Sequence, residues 1–379
     1  MSIPEHEIPF GSMNGNDPDD HSRGWPKPLS EVAYHGIVGD VVRAIEPQTE
    51  ADPAAILVQF LTAVGAACGR GPGFTVDASR HSLNLYCQIV GESALSRKGT
   101  SFNQAVAPVL AADATFSYTT GMSSGEGLIH EVRDPNEDRR KARNKEEKER
   151  ADDDGFITEV TDEGVSDKRL LVVETEFASV IARMSRDTNT LSPVLRQAWE
   201  GATLKTMTKG TPETATGAHV GVVGHITVAE LRKKLSETEL LSGFANCFLW
   251  LCARRSQSLP RGGKTIEWRD SAEVEQIRTT LRFAQVIERE HDFDEAAGEL
   301  WDSEYERFNE AEGLLAAVTN RGSPQTRRIA TLYALLDCCT SIKVEHVRAA
   351  LEVWRTCLAI RQATRSWTRS WMRFGSADQ

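Results

Sequence analysis

The amino-acid sequence predicts an α/β protein, a mostly parallel sheet with helical segments before and after it in the chain. Three observations carry that expectation. Between residues 83 and 253, short aliphatic runs alternate with segments of helical periodicity, as in successive βαβ units. The run LLVV, Leu170 to Val173, has no polar break and suits a strand covered on both faces. From about Ser271 onward, apolar positions recur at helical spacing, with Gly322 to Pro324 as an interruption.

Taken in order, residues 1–24 are rich in Pro, Asp, Asn, Gly and Ser and lack the basic start and apolar run of a signal peptide; a disordered tail is expected. Residues 25–80 are expected to form a helical preface, because Val38, Val41, Val42 and Ile45, then Ile56, Leu57, Phe60, Leu61 and Val64, fall at helical spacing. The core is expected over 81–265 and opens with a strand at 83–90, a loop from Gly91 and a helix from about Thr100 to Ala112. Ser124 is placed to cap a short helix reaching Val132. Residues 133–168 are mostly charged, with few aliphatics, and are expected to be a flexible insertion. Helices at 176–184 and 192–199, strands at 204–208, 219–224 and 248–252, and a capping box of Thr227 with Glu230 complete the core. Residues 266–379 are expected to form a helical C-terminal region.

Composition narrows the functional classes. Of 379 residues, 40% are apolar and 26% charged, which places the chain among globular proteins rather than disordered or membrane ones. The apolar run Phe248 to Ala253 is far too short to span a bilayer, so no membrane role and a cytoplasmic location are expected. The seven cysteines show no paired CxxC spacing and read as reduced core residues. A net charge of −11 argues against a whole-surface grip on nucleic acid, though not against a local basic groove.

The segment GESALSRKGTS, Gly91 to Ser101, carries the chemistry. A glycine-rich turn from strand to helix can aim backbone N–H groups and the helix N-terminus at phosphate, with a lysine for the outer phosphates and a hydroxyl for Mg2+. Gly91, Arg97, Lys98, Gly99, Thr100 and Ser101 are the candidates. The spacing departs from G-x-x-x-x-G-K-[ST]: Lys98 lies one place late counted from Gly91, and Gly99 stands where Ser or Thr is expected. Taken alone, an ordinary capped turn would serve as well.

With RKGTS stand GMSSGEGLIHEVRDP, LLVVETEFASVIARM, TLSPVLRQAWEG, GHITVAELRKKLSETE and GFANCFLW, in that order. The chain, from about Pro28 to Arg361, resembles the uncharacterised P-loop ATPases of phages, plasmids and other mobile elements, themselves similar to the helicase half of primase-helicase proteins. The resemblance implies a RecA-like or AAA+-like core that binds ATP with Mg2+ and hydrolyses it. It further implies a helicase-like or translocase-like motor in replication, a homo-oligomeric ring such as a hexamer, single-stranded DNA as substrate, and a primase or origin-binding protein as partner. A nucleotide-binding regulatory or assembly protein with little hydrolysis is the alternative.

On these positions, the resemblance makes Lys98 the phosphate-binding lysine and Thr100 or Ser101 the Mg2+ contact. Glu174 and Glu176 follow LLVV as a Walker B pair would, one supporting Mg2+ and one orienting the attacking water; they could equally be acids leaving the core into solvent. His225, in GHIT, takes the place of a γ-phosphate sensor, or is a structural strand-end histidine. The family often shows Arg after GFAN, where this chain has Cys247. Arg254 or Arg255 would then supply the catalytic arginine, unless both are solvated strand-end charges.

For nucleic acid, Arg361, Arg365, Arg369 and Arg373 recur every four residues beside Trp367 and Trp371, a stripe that can follow phosphates and stack bases, or a helix docking through its tryptophans. Lys205 and Lys209 lie between the acidic strand and the GHIT strand, where RecA-like motors place DNA-binding loops.

Overall fold

The computed structural model describes residues 27–363 apart from 94, 187, 207–211, 236–238, 240, 241, 287–289 and 310–318. The expected tail at 1–24 therefore lies outside the described residues.

Two helices come first: α1 (Gly36–Ile45), whose buried face is set by Ile37, Val38, Val41, Val42 and Ile45, and α2 (Pro53–Ala67), opened by Asp52, which accepts from Ala54 N. Every residue of α2 from Ala54 to Ala67 is buried. A helix apolar on all sides can only be internal. The expected helical preface then ends in an antiparallel ribbon, β1 (Gly73–Val76) with β2 (Ser79–Ser82).

β3 (Tyr86–Val90) leads through the loop into α3 (Lys98–Ala112); β4 (Tyr118–Thr119) and α4 (Gly125–His130) follow, with Ser124 capping α4 by accepting from Gly127 N. The charged segment, expected as a flexible insertion, carries regular secondary structure. β5 (Asn136–Lys141) and β6 (Phe156–Asp162) pair antiparallel around α5 (Lys145–Arg150). Charges of opposite sign face each other: Arg140 binds Glu147 and Glu159 at 2.9 and 2.7 Å, and Arg139 binds Asp152 at 2.7 Å. One of these pairs, Arg140 with Glu159, crosses between the strands, and the others tie β5 to α5 and to the turn before β6.

β7 (Arg169–Glu174), α6 (Phe177–Met184) and α7 (Leu191–Glu200) come next. The strand expected at 204–208 is only β8 (Leu204–Lys205), paired with β9 (Thr214–Ala215) outside the main sheet. β10 (His219–Ile226), α8 (Val228–Lys234) with the expected Thr227–Glu230 capping box, and β11 (Phe248–Cys252) complete the centre.

The central sheet has five strands in the order β11-β3-β10-β7-β4, all parallel. Its two faces carry separate apolar clusters. One holds α1, α2, α3 and the later helices Ala272–Val286, Gly322–Leu336 and Val344–Ala363; the other holds α4, α6, α7 and α8. The boundaries expected at 80/81 and 265/266 do not divide cores, since Leu57, Ile89, Leu281 and Leu332 belong to one cluster. His35 Nε2 and His346 Nε2 both meet Asp337 Oδ2, at 2.7 and 3.1 Å, tying the start of α1 to the C-terminal helices.

The connections after β3 and β10 leave toward opposite faces. α3 packs on α2, whereas α8 packs on α6. β3 and β10 are neighbours, so their carboxyl ends bound a topological switch point, where open parallel sheets hold their ligands. No helix among the described residues is long and apolar enough to cross a membrane.

Candidate functional site

The expected phosphate loop lies at that switch point. Its base is pinned on both sides: Gly91 N donates to Ile226 O at 3.1 Å and Ala253 N to Val90 O at 2.8 Å. A Cβ at position 91 would stand 2.6 Å from Ala253 O and from Ser96 Cβ, so only glycine lets the strand end so close to β11. Arg97 adopts the left-handed region (φ 51°) and turns the chain into α3.

Lys98 opens α3, and its ammonium is turned back onto the loop. Nζ donates to Gly91 O at 2.8 Å, Glu92 O at 3.1 Å and Ser96 Oγ at 3.1 Å. Burial holds its pKa below the ordinary value, against an opposing pull from the Glu230 carboxylate. Gly99 has open space around it, and Thr100 is exposed in the first turn. Ser101 differs: its fully buried hydroxyl donates to Lys98 O at 2.6 Å and accepts from Gln59 Nε2 at 2.7 Å. Thr100 is thus the hydroxyl facing out of the loop, and Ser101 fastens α3 to α2.

Across the sheet, Trp250, Gln88, Gly224 and Glu174 are register neighbours in one row. Glu174 is 7% exposed, and its Oε1 accepts from Met122 N at 2.5 Å. Glu176, at the N-cap of α6, is exposed. The two acids expected to act together therefore differ, one held inside the strand end and one in solvent.

Sequence reasoning missed Gln88 and Gly224. Gln88 is fully buried, and neither carboxamide atom has a hydrogen-bond partner within the protein. A Cβ at 224 would lie 2.2 Å from Gln88 Nε2, so glycine makes the space in which the carboxamide lies over β10 toward Glu174. The signal was present as a polar residue inside the apolar run LNLYCQIV.

His225 is 2% exposed and faces α2, with Nε2 bound to Gln59 Oε1 at 2.8 Å. Gln59 thereby links His225 to Ser101. The expected sensor reaches the loop through the side chains of Gln59 and Ser101 rather than directly. Burial first, and then the Lys98 charge, push its pKa down to about 4. An unfolded chain takes up that proton near pH ~6.5, so between the two values acid favours unfolding. Stability should fall as pH drops from about 6.5 to about 4 and rise again on return. In His225→Asn part of that slope should vanish; identical slopes in denaturant titrations of the two proteins would refute it.

Arg255, expected as a catalytic arginine, is bound to Glu50, which Arg97 also holds at 2.7 Å. Leu259 N donates to the same carboxylate at 2.7 Å; this bond and the two guanidiniums keep Glu50 below the usual carboxylate range. Arg255 therefore braces the loop of its own chain. At the opposite end of β11, Arg321 donates to Cys247 Sγ and to Glu200. A guanidinium reaches the position that lacks an arginine in sequence.

Lys205 is exposed on the β8–β9 ribbon, which runs on from Ala215 to the start of β10 at His219 and so lies at the far end of that strand from the expected phosphate loop. Lys209, Arg365 and Arg369 lie outside the described residues, as do Arg373, Trp367 and Trp371. Among the described residues, His35, Asp337 and His346 are the one group of metal-ligating types close enough to share an ion. Lys343 N donates to His346 Nδ1 at 3.0 Å, which leaves its Nε2–H directed at Asp337; an ion there would have to break this pattern. In comparisons with known proteins, no protein-family profile and no curated protein matches the chain.

Proposed function

We propose that the protein binds ATP at Gly91–Thr100 and hydrolyses it with Mg2+, as a P-loop ATPase. One observation carries the reading: the loop with Lys98 and the buried Glu174 both lie at carboxyl strand ends beside the switch point of an all-parallel sheet. Lys98 and the first N–H groups of α3 supply positive charge for phosphate. Thr100 and Glu174 are hard oxygen donors of the kind Mg2+ takes, with Glu174 Oε2 the oxygen left for a metal-bound water once Met122 N holds Oε1. The ion would neutralise charge on the phosphates. Glu176, exposed at the head of α6, is available to a water in front of the sheet.

Replacing Glu174 by Gln is expected to lower steady ATP turnover about 100-fold or more while leaving Mg-ATP affinity within several-fold of wild type. No turnover by wild type at any protein concentration, with and without single-stranded DNA, would refute hydrolysis. The DNA arm also tests the motor role, which the resemblance implies together with a homo-oligomeric ring and a primase or origin-binding partner. Cys247, at the opposite end of β11 from the loop and in contact with the Arg321 guanidinium, does not decide against hydrolysis. The alternative stays a nucleotide-controlled regulatory or assembly protein. Nucleotide affinity without turnover is its signature.

A further inference from the structure

The row Trp250, Gln88, Gly224, Glu174 crosses the sheet near its carboxyl edge. Register neighbours of a parallel sheet share a face. Here it is the face of α6 and α8, because Tyr86, Val90, Val172, Val222 and Phe248, which alternate with these residues along their strands, belong to its apolar cluster.

Gln88 is thereby set among apolar groups. Tyr86, Val222 and Phe248 lie in the row below, Val90 and Ile226 in the row above, and Trp250 beside it sends its ring N–H to Ala245 O at 2.8 Å. The Tyr86 hydroxyl is also engaged elsewhere, donating to Leu195 O at 3.1 Å. Apart from the Cys252 thiol, Glu174 is the one polar side chain that β7, β10 and β11 place in these rows.

The carboxamide lies over Gly224, on the way to that carboxylate. Neighbouring strands are about 4.8 Å apart, so β3 and β7 stand about 10 Å apart with β10 between them. Both carboxamide atoms are buried and neither meets a partner among the described residues. From over β10, the remaining step to Glu174 suits one bridging water, and a buried carboxamide requires such a partner. A carboxylate only accepts, so the amide NH2 would donate to the water and the water to Oε2, the oxygen that Met122 N does not hold.

We propose that Gln88 is a positioning residue: through one internal water it fixes the Glu174 carboxylate from the β10 side, as Met122 N fixes it from the β4 side. An acid held on both sides keeps its orientation while charge changes in front of it. The role in turnover rests on the ATPase reading of Glu174, whereas the water bridge does not.

Gln88→Met supplies an apolar side chain of similar length. Steady-state kinetics on the full chain should give a kcat about tenfold lower, with KM for Mg-ATP within about twofold of wild type. In a Glu174→Gln background the same replacement should alter kcat less than about twofold, because a residue acting through Glu174 has nothing left to act on. Gly224→Ala, whose methyl group would meet the carboxamide, should reproduce the kcat loss and serves if Gln88→Met does not fold. A crystal structure of the nucleotide-free protein should show an ordered water between Gln88 and Glu174. Absence of that water overturns the proposal whatever the rates. A kcat near that of wild type in both variants overturns it too and leaves the ATPase reading standing. Equal losses with and without the Glu174 carboxylate also overturn it, since Gln88 would then act by another route. If the water is present and wild type turns over no ATP, the hydrolysis reading fails and the positioning role falls with it.

Discussion

Lys98→Ala is expected to abolish the stabilisation that Mg-ATP confers on the folded protein. A ligand at about 100 times its dissociation constant should stabilise wild type by roughly 2.7 kcal/mol, read as a rise in melting temperature. The ammonium is directed at the loop's own oxygens, Gly91 O, Glu92 O and Ser96 Oγ. Phosphate oxygens would take over those bonds when nucleotide binds. Without ligand, the same substitution should cost about 1–2 kcal/mol, because buried Gly91 loses the donor to its carbonyl whereas the carbonyl of exposed Glu92 can turn to water. The two measurements separate a phosphate lysine from a structural one. A large loss without ATP, with the ligand-induced rise intact, would refute the assignment.

The second large effect falls on stability. Arg328, in the helix Gly322–Leu336, is fully buried, with its guanidinium 3.9 Å from the centre of the Trp199 ring. Nη1 donates to Asn84 O at 2.8 Å and to Asn84 Oδ1 at 3.2 Å, and Nη2 donates to Trp199 O at 3.0 Å. Burial pushes its pKa down to about 10, partly offset by Glu200, so the charge persists at neutral pH. Arg328→Ala would remove packing and leave two interior carbonyls without these donors, and is expected to cost about 4 kcal/mol. Arg328→Lys keeps the charge but not the planar fork, and should cost about half as much. Denaturant unfolding of the three proteins checks the order; a loss under about 1 kcal/mol in Arg328→Ala would refute it.

These contrasts show what could be read from residues alone. Strands of unbroken aliphatics were legible: Phe248–Cys252 has its expected bounds, and the run at Leu170 forms the interior of β7. The caps at Ser124 and Thr227 were legible because capping is local. The loop was visible as a loop, and Glu174 as the end of the aliphatic strand. What supports them was not. Glu50 braces Arg255 across 205 residues, Gln59 meets His225 across 166, and Arg328 reaches Asn84 across 244; no local spacing encodes such pairings. The hairpin at 136–162 escaped for another reason, since composition measures apolar content and its order comes from paired charges.

The enclosure of α2 has a consequence in time. Part of its cover is distant in sequence, the helix Gly322–Leu336, and the segment before α1 is tied to the C-terminal helices: Tyr333 Oη donates to Ala33 O, His35 meets Asp337, and Ser30 N donates to Glu352 Oε1, pairs separated by 300, 302 and 322 residues. During synthesis at roughly 5–20 residues per second, α2 would emerge well before the helices that enclose it. For that interval its apolar surface is available to other chains. High contact order of this kind slows folding, and here it leaves that surface incompletely covered until residues 322–357 are made.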